Sequence, residues 1–326
     1  MSEVEPRHLK VLVLTAEGRE PDFSRVYAAL SQHVQLTVHT LSKTAQKNLR
    51  AVLRRLHVEN YDRLLLDLRF KYVHTQVALL RTVTGLVIYE EDACQNYLAN
   101  SRWQGEFSKF YRALPSARIV VTGASVARRL QQEGIDAHFL PKGYDETLLY
   151  DEHITRDVEI GFIGRLSSQA YAQRKELLET LAHEDGLQLL RTQPGSAYRQ
   201  GLNRIRFFVS ADIGLEEYMA KNFEAMACGC VLLAWQQGEE EQAIGLESGR
   251  HLLLYHSIEE LRAQLQWLRD HPQEADLIAR TGEEFAAKYL THTHLAVGLA
   301  SVLRLAPRPV PLFRGWRSAL QRYLLR

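Results

Sequence analysis

Residues 211–235 read ADIGLEEYMAKNFEAMACGCVLLAW. The last five, VLLAW, are an uninterrupted apolar run with the length and composition of a buried strand. Just ahead, small residues follow Glu224 and stop at Gly229, a pattern that predicts a short helix closed by glycine. The segment also holds two glutamates eight positions apart, Glu216 and Glu224. A regular helix turns about 100° per residue, so side chains at that spacing diverge by roughly 80°. The two carboxylates can meet one ligand only if Glu216 lies in the loop before the helix and Glu224 in its first turns. That arrangement sets two carboxylates and several open backbone N–H groups around one helix N-terminus. Carboxylates accept from sugar hydroxyls, and helix N-termini attract phosphate. A site offering both fits a nucleotide sugar.

Outward from this segment, short apolar runs alternate with helical patterns. Strands are expected at 10–15, 36–41, 63–68, 85–90, 117–123 and 137–141, with amphipathic stretches such as 43–58, 93–113 and 124–133 between them. After a polar, weakly periodic segment at 145–157 the pattern restarts, with strands expected at 159–164, 187–192, 204–211, 231–235 and 251–255. Helices at 257–270, 273–289 and 294–305 close it. Runs this short, rich in Val, Ile and Leu, fit parallel strands buried on both faces. The fold class is therefore α/β, as two Rossmann-like, doubly wound parallel-sheet domains with ligands at the carboxyl ends of the strands. The expected division is 1–150, 151–306, and a Pro-rich hinge with a basic tail at 307–326.

Composition narrows the function classes. The 46% hydrophobic and 24% charged residues are the balance of a globular chain, and 326 residues suffice for two cores. A formal net charge of +1 argues against a bulk binder of nucleic acid. Cys94, Cys228 and Cys230 lack zinc spacing and read as buried, reduced thiols. The N-terminal MSEVEPRHLK has no signal-peptide core, and no apolar run approaches about 18 residues, so the expected location is cytoplasmic.

Four segments in order carry a family resemblance: PKGYDETLLY (141–150), IGFIGRL (160–166), the glutamate segment with E-x7-E followed by EAMACG, and GEEEQAIGLESGRHLLLYHSIEELRAQLQWL (238–268). Together they resemble family-4-type glycosyltransferases of the GT-B fold, and the FIG strand with a compact first domain is reminiscent of the spore-maturation-like branch. The resemblance implies two domains facing a cleft, with Glu224 on the ribose hydroxyls of the donor and Glu216 on the donor sugar. Backbone N–H groups of Lys221, Asn222 and Phe223 would meet the diphosphate, with Lys221 adding charge or remaining a surface lysine.

Leaving-group charge calls for fixed cations. Arg165, in GRL, matches the family's arginine. Position 170 is alanine where the family has a lysine, and the next cations are Arg174 and Lys175. In the first half, the turn TAEGREPDF places Glu17 and Gly18 as acceptor-side candidates, although the family's glycine-rich turn is missing. After the fourth strand, Glu90, Glu91 and Asp92 stand where an acceptor contact or a base belongs, or else pair with neighbouring arginines. No metal and no cofactor are expected beyond the donor itself.

The last twenty residues carry five arginines and no acid. Phe313, Trp316, Leu320, Tyr323 and Leu324 share one helical face, the pattern of a peripheral anchor on an anionic membrane, or of a helix packing back on the protein. The reading is a retaining, metal-independent, hexosyltransferase-type enzyme that moves a sugar from a nucleotide-diphosphate sugar to a glycan or lipid-linked acceptor, in polysaccharide or lipopolysaccharide synthesis. A nucleotide-sugar epimerase and a non-catalytic nucleotide-sugar-binding protein stay open beside it.

Overall fold

The computed structural model describes residues 9–166 and 172–309. The basic helix expected at 313–326 lies outside them. A six-stranded parallel sheet is built from β1 (Lys10–Ala16), β2 (Gln35–Leu41), β3 (Arg63–Asp67), β4 (Leu86–Glu90), β5 (Arg118–Val121) and β6 (Ala137–Phe139), in the order β2-β1-β3-β4-β5-β6. A five-stranded parallel sheet follows, from β7 (Val158–Ile163), β8 (Gln188–Leu190), β9 (Ile205–Ser210), β10 (Val231–Trp235) and β11 (Leu253–Tyr255), in the order β11-β10-β9-β7-β8. Each strand falls on an apolar run named above.

Both sheets have the same winding. Counted from its own first strand, the second runs 2-1-3-4-5 and the first 2-1-3-4-5-6, so the topological switch lies between β1 and β3 in one sheet and between β7 and β9 in the other. In open α/β sheets ligands bind outside the carboxyl ends of the strands at such a switch. The alternation of β1 shows why the sheet is buried on both sides. Leu12 and Leu14 enter one core, with Phe107, Phe110 and Leu130, while Val11 and Val13 enter the other, with Phe23, Val26 and Leu30.

The chain forms two compact units. Among the described residues, one comprises 9–122, 126–140 and 295–309, and the other Gly123–Ser125 and the residues between Pro141 and His294. This division differs from the expected one at both ends, for packing reasons. Residues 145–157 are polar, as a linker would be, but their polar groups, and the backbone just before them, are used. Arg156 donates to the carbonyls of Ile205 (2.8 Å) and Cys228 (2.7 Å), Glu152 accepts from Arg199 at 2.8 Å, and Tyr144 bridges to Thr291. The last helix, His292–Arg304, sends Leu295, Ala296, Leu299 and Leu303 into the core of the first sheet. Arg63 then donates to the carbonyls of Leu303 and Leu305, both at 2.8 Å, satisfying acceptors that a helix leaves open at its C-terminus.

Two of the amphipathic stretches are broken. Residues 43–58 hold the helices Lys43–Gln46 and Leu49–Arg55, and within 93–113 only Glu106–Arg112 is α-helical. The helix of the opening segment is Ala220–Ala227. It closes as its sequence predicts: Gly229 takes φ 72° and donates to the Met226 carbonyl at 2.9 Å, and Cys230 donates to Ala225 at 3.0 Å. These paired bonds form a Schellman motif. A Cβ on Gly229 would lie 2.4 Å from Asp151 Oδ2, so the same glycine lets the 151–156 segment lie close.

Candidate functional site

Near the carboxyl ends of β7 and β9 lie four of the eight residues expected on the donor side: Glu216, Glu224, Lys221 and Arg165. Glu216 lies in the loop between β9 and the Ala220–Ala227 helix, half-buried, with φ 51°. A non-glycine residue in this left-handed region stores strain that the surroundings must hold, a state concentrated at functional sites. Its Oε2 accepts from Ser125 Oγ at 2.9 Å. Glu224 is the fifth residue of the helix, also half-buried, and its Oε2 accepts from the Tyr198 hydroxyl at 2.5 Å. The geometry inferred from their spacing, loop for one and early helix for the other, is the geometry present.

Lys221 turns its ammonium toward the end of β7. Nζ donates to the Ile163 carbonyl at 3.2 Å and lies 5.5 Å from the Phe162 ring centre. A Cβ on Gly164 would come within 2.7 Å of that nitrogen, so the glycine is what admits it. Burial pushes the Lys221 pKa down, and Glu224 opposes the shift. Next in sequence, Arg165 is exposed and has no hydrogen bond or ion pair with any described residue. A flexible cation of this kind can approach a phosphate.

The remaining donor-side residues are placed otherwise. Arg174 is buried and ion-paired with Asp212, and its Nε donates to the Ala211 carbonyl at 3.3 Å. It braces the β9 loop from below. Lys175 points to solvent, 3.7 Å from Glu179 on its own helix, and is not brought to the cluster. Asn222 is fully buried, its Nδ2 bonded to Asp212 Oδ2 at 2.7 Å, and its backbone N–H already donates to Met219. Phe223 is a core residue, and as the fourth helical residue its N–H belongs to the helix ladder. The open N–H groups of this helix are therefore fewer than the sequence suggests.

Sequence reasoning missed Asp212 and Tyr198. Asp212 ends the β9 run and could have been marked by the rule applied to Glu90, an acid at a strand's carboxyl end. Tyr198 comes from the Ser196–Arg204 helix, and no local signal ties it to Glu224. Also missed was the buried ion pair of Lys142 with Glu217, directly beside Glu216.

In the first unit a cavity of about 460 Å³ opens at the carboxyl ends of β1, β3 and β4. Gly18, Glu90, Glu91 and Asp92 line it, and Glu17 does not. Asp67 forms its floor, accepting from Tyr27 Oη at 2.5 Å and Arg19 Nε at 3.0 Å. Arg19 Nη1 also donates to Glu91 at 2.6 Å, so Glu91 follows the charge-pairing alternative. Glu90 is buried, accepts from the Asp92 N–H at 2.9 Å, and burial holds its pKa well above the ordinary carboxylate range. Asp92 is exposed.

Among the described residues, no group of three or more His, Cys, Asp or Glu side chains could hold a metal ion, and no helix is long and apolar enough to cross a membrane. Cys94, Cys228 and Cys230 are buried and unbridged.

Two like-wound parallel sheets, with a carboxylate and cation cluster at the second switch point, define the GT-B glycosyltransferase fold. Residues 169–300 match the family model described as glycosyl transferase-like. Among solved structures, the chain is similar to Anabaena Alr3699/HepE in complex with UDP and glucose, at 15% identity and TM-score 0.67, covering 92% of this chain and 100% of that one. It is similar to sucrose-phosphate synthase from Thermosynechococcus elongatus, at 12% identity and TM-score 0.67, covering 91% and 98%. A glycosyltransferase from Rickettsia africae ESF-5 matches at 12% identity and TM-score 0.63, covering 92% and 98%. These matches stop at the class and do not single out the spore-maturation-like branch. No curated protein matches by sequence.

Proposed function

We propose that this protein is a glycosyltransferase that binds a nucleoside-diphosphate sugar on its second unit and an acceptor, a glycan or a lipid-linked sugar, on its first. The observation that carries the reading is the position of Glu224, Lys221 and Arg165 in the segments that follow β7 and β9, with Lys221 Nζ on the Ile163 carbonyl. The likeness to HepE, solved in complex with UDP-glucose, supports a uridine donor. Glu224 takes the ribose hydroxyls, and Glu216 takes a hydroxyl of the sugar. Lys221 and Arg165 meet the diphosphate. As the bond from the anomeric carbon to the diphosphate oxygen breaks, charge grows on that oxygen, and fixed cations stabilise it. The acceptor oxygen bonds to the anomeric carbon on the same face, and its proton passes to the departing diphosphate. Asp92 orients the acceptor hydroxyl. The outcome is retention.

UDP release from UDP-glucose in the absence of acceptor is the direct test. Slow release by the native chain is expected, with loss of about a hundredfold or more in Glu224→Ala and in Arg165→Ala. Release unchanged by both substitutions would remove the site assignment. UDP-glucose binding with no release would make the protein a nucleotide-sugar binder.

A further inference from the structure

The cavity of the first unit is lined by two chemically different groups of side chains. The ends of β3 and β4 supply carboxyl groups, of which Asp67 and Glu91 are held by Arg19 and Asp92 is exposed to the cavity. The opposite character comes from Arg69, Lys71 and Arg102. All three line the cavity and are exposed, and among the described residues none has a carboxylate in ion-pair contact. Elsewhere in the same unit, exposed or half-buried arginines do find acids, as Arg112 finds Glu133 at 3.0 Å and Arg118 finds Asp136 at 3.2 Å. Among the described residues, the acids that share the cavity do not neutralise these three cations.

Arg102 has an aromatic neighbour. The Arg102 guanidinium lies 4.6 Å from the centre of the Trp103 ring, a cation–π contact that fixes its plane. Trp103 in turn meets Phe70 edge-on at 5.1 Å and His74 at 5.3 Å. Trp103 and Phe70 line the same cavity. An aromatic face of this kind suits the C–H face of a sugar ring. Carboxylates suit its hydroxyls, and a guanidinium suits an oxyanion in bidentate contact.

We infer that the acceptor held in this cavity is an acidic sugar, a glycoside bearing a phosphate or carboxylate group, with its hydroxyls toward Asp92 and its oxyanion toward Arg69, Lys71 and Arg102. The inference rests on the glycosyltransferase reading for the word acceptor; the binding site itself is testable without turnover. The full chain is titrated by ligand-observed NMR with methyl glucoside, methyl glucoside 6-phosphate, methyl glucuronide and inorganic phosphate, and in parallel with UDP. At least one acidic glycoside is expected to bind about tenfold or more tightly than both methyl glucoside and inorganic phosphate. The tighter of the two identifies the oxyanion. In the double variant Arg69→Ala/Arg102→Ala, both exposed positions, that preference falls to the level of methyl glucoside while UDP binding is unchanged. Equal binding of neutral and acidic glycosides, inorganic phosphate as tight as the acidic glycoside, or a preference that survives the double substitution overturns the inference. The UDP titration reports on the second unit separately, so failure of the donor site and failure of the acidic-sugar site give different results.

Discussion

Glu224 is held by a partner 26 positions away. The Tyr198 hydroxyl donates at 2.5 Å to Oε2, and burial raises the pKa of Tyr198, with Glu224 raising it further. The phenol therefore stays a donor at any working pH and fixes one carboxylate oxygen. A charge-assisted bond of this kind contributes about 1.5 kcal/mol. In Tyr198→Phe the KM for the donor is expected to rise about tenfold, with kcat changed by less than about threefold. Steady-state UDP release measures both, and an unchanged KM would show that Tyr198 has no part in orienting Glu224. The same scale explains the division among the cations. Arg174 spends its charge on Asp212 inside the protein, while Arg165 keeps its charge available at the surface.

At the scale of elements, the second unit depends on close approach between backbones. The long helix Pro272–Tyr289 passes the turn before β11 at Gly282, where a Cβ would lie 2.4 Å from the His251 carbonyl oxygen. Two effects of a Gly282→Ala change oppose each other. Alanine favours the helix by about 1 kcal/mol, and forced separation in a packed core costs about 1–3 kcal/mol. A contact with backbone cannot be relieved by a rotamer change, so the second effect wins. Urea unfolding is expected to show a net loss of up to about 2 kcal/mol, and a variant more stable than the native chain would mean that the helix can shift without cost. The Ala220–Ala227 helix shows the same economy: Gly229 ends it, and the 151–156 segment lies directly over that end.

For the molecule as a whole, buried acids set the pH response. Glu240 is fully buried and accepts from the backbone N–H groups of Ala124 and Ser125 at 2.9 and 2.7 Å. Burial raises its pKa from 4.5 to about 7, against the pull of those two donors. Between these values the folded protein keeps a proton that the unfolded chain has released, so stability falls as pH rises through that window. Glu240→Gln removes the titration. Between pH 5 and 7.5 the native chain is expected to lose roughly 2 kcal/mol more than the variant. Chemical unfolding at the two pH values measures the difference, and parallel losses would show that Glu240 does not titrate there. Burial raises Glu90 in the same direction, but that contribution is common to both proteins and cancels.

The sequence alone determined the strands, the parallel α/β class, the helix stop at Gly229, and the placement of Glu216 in a loop with Glu224 in the helix after it. These follow from local pattern: apolar runs, turn residues and the turn angle of a helix are properties of neighbours along the chain. It also marked Glu90 and Asp92, because an acid at the end of a buried strand falls at the open end of the sheet. Only tertiary structure decided which side chains meet. Arg174 with Asp212, Tyr198 with Glu224, and Arg19 with Asp67 and Glu91 join residues 26 to 72 positions apart. It also returned the last helix to the first unit and bound the polar segment 145–157 to the second. Pairing and packing over such separations depend on where each element lands, and the energy that chooses one partner over another arises when both leave water together.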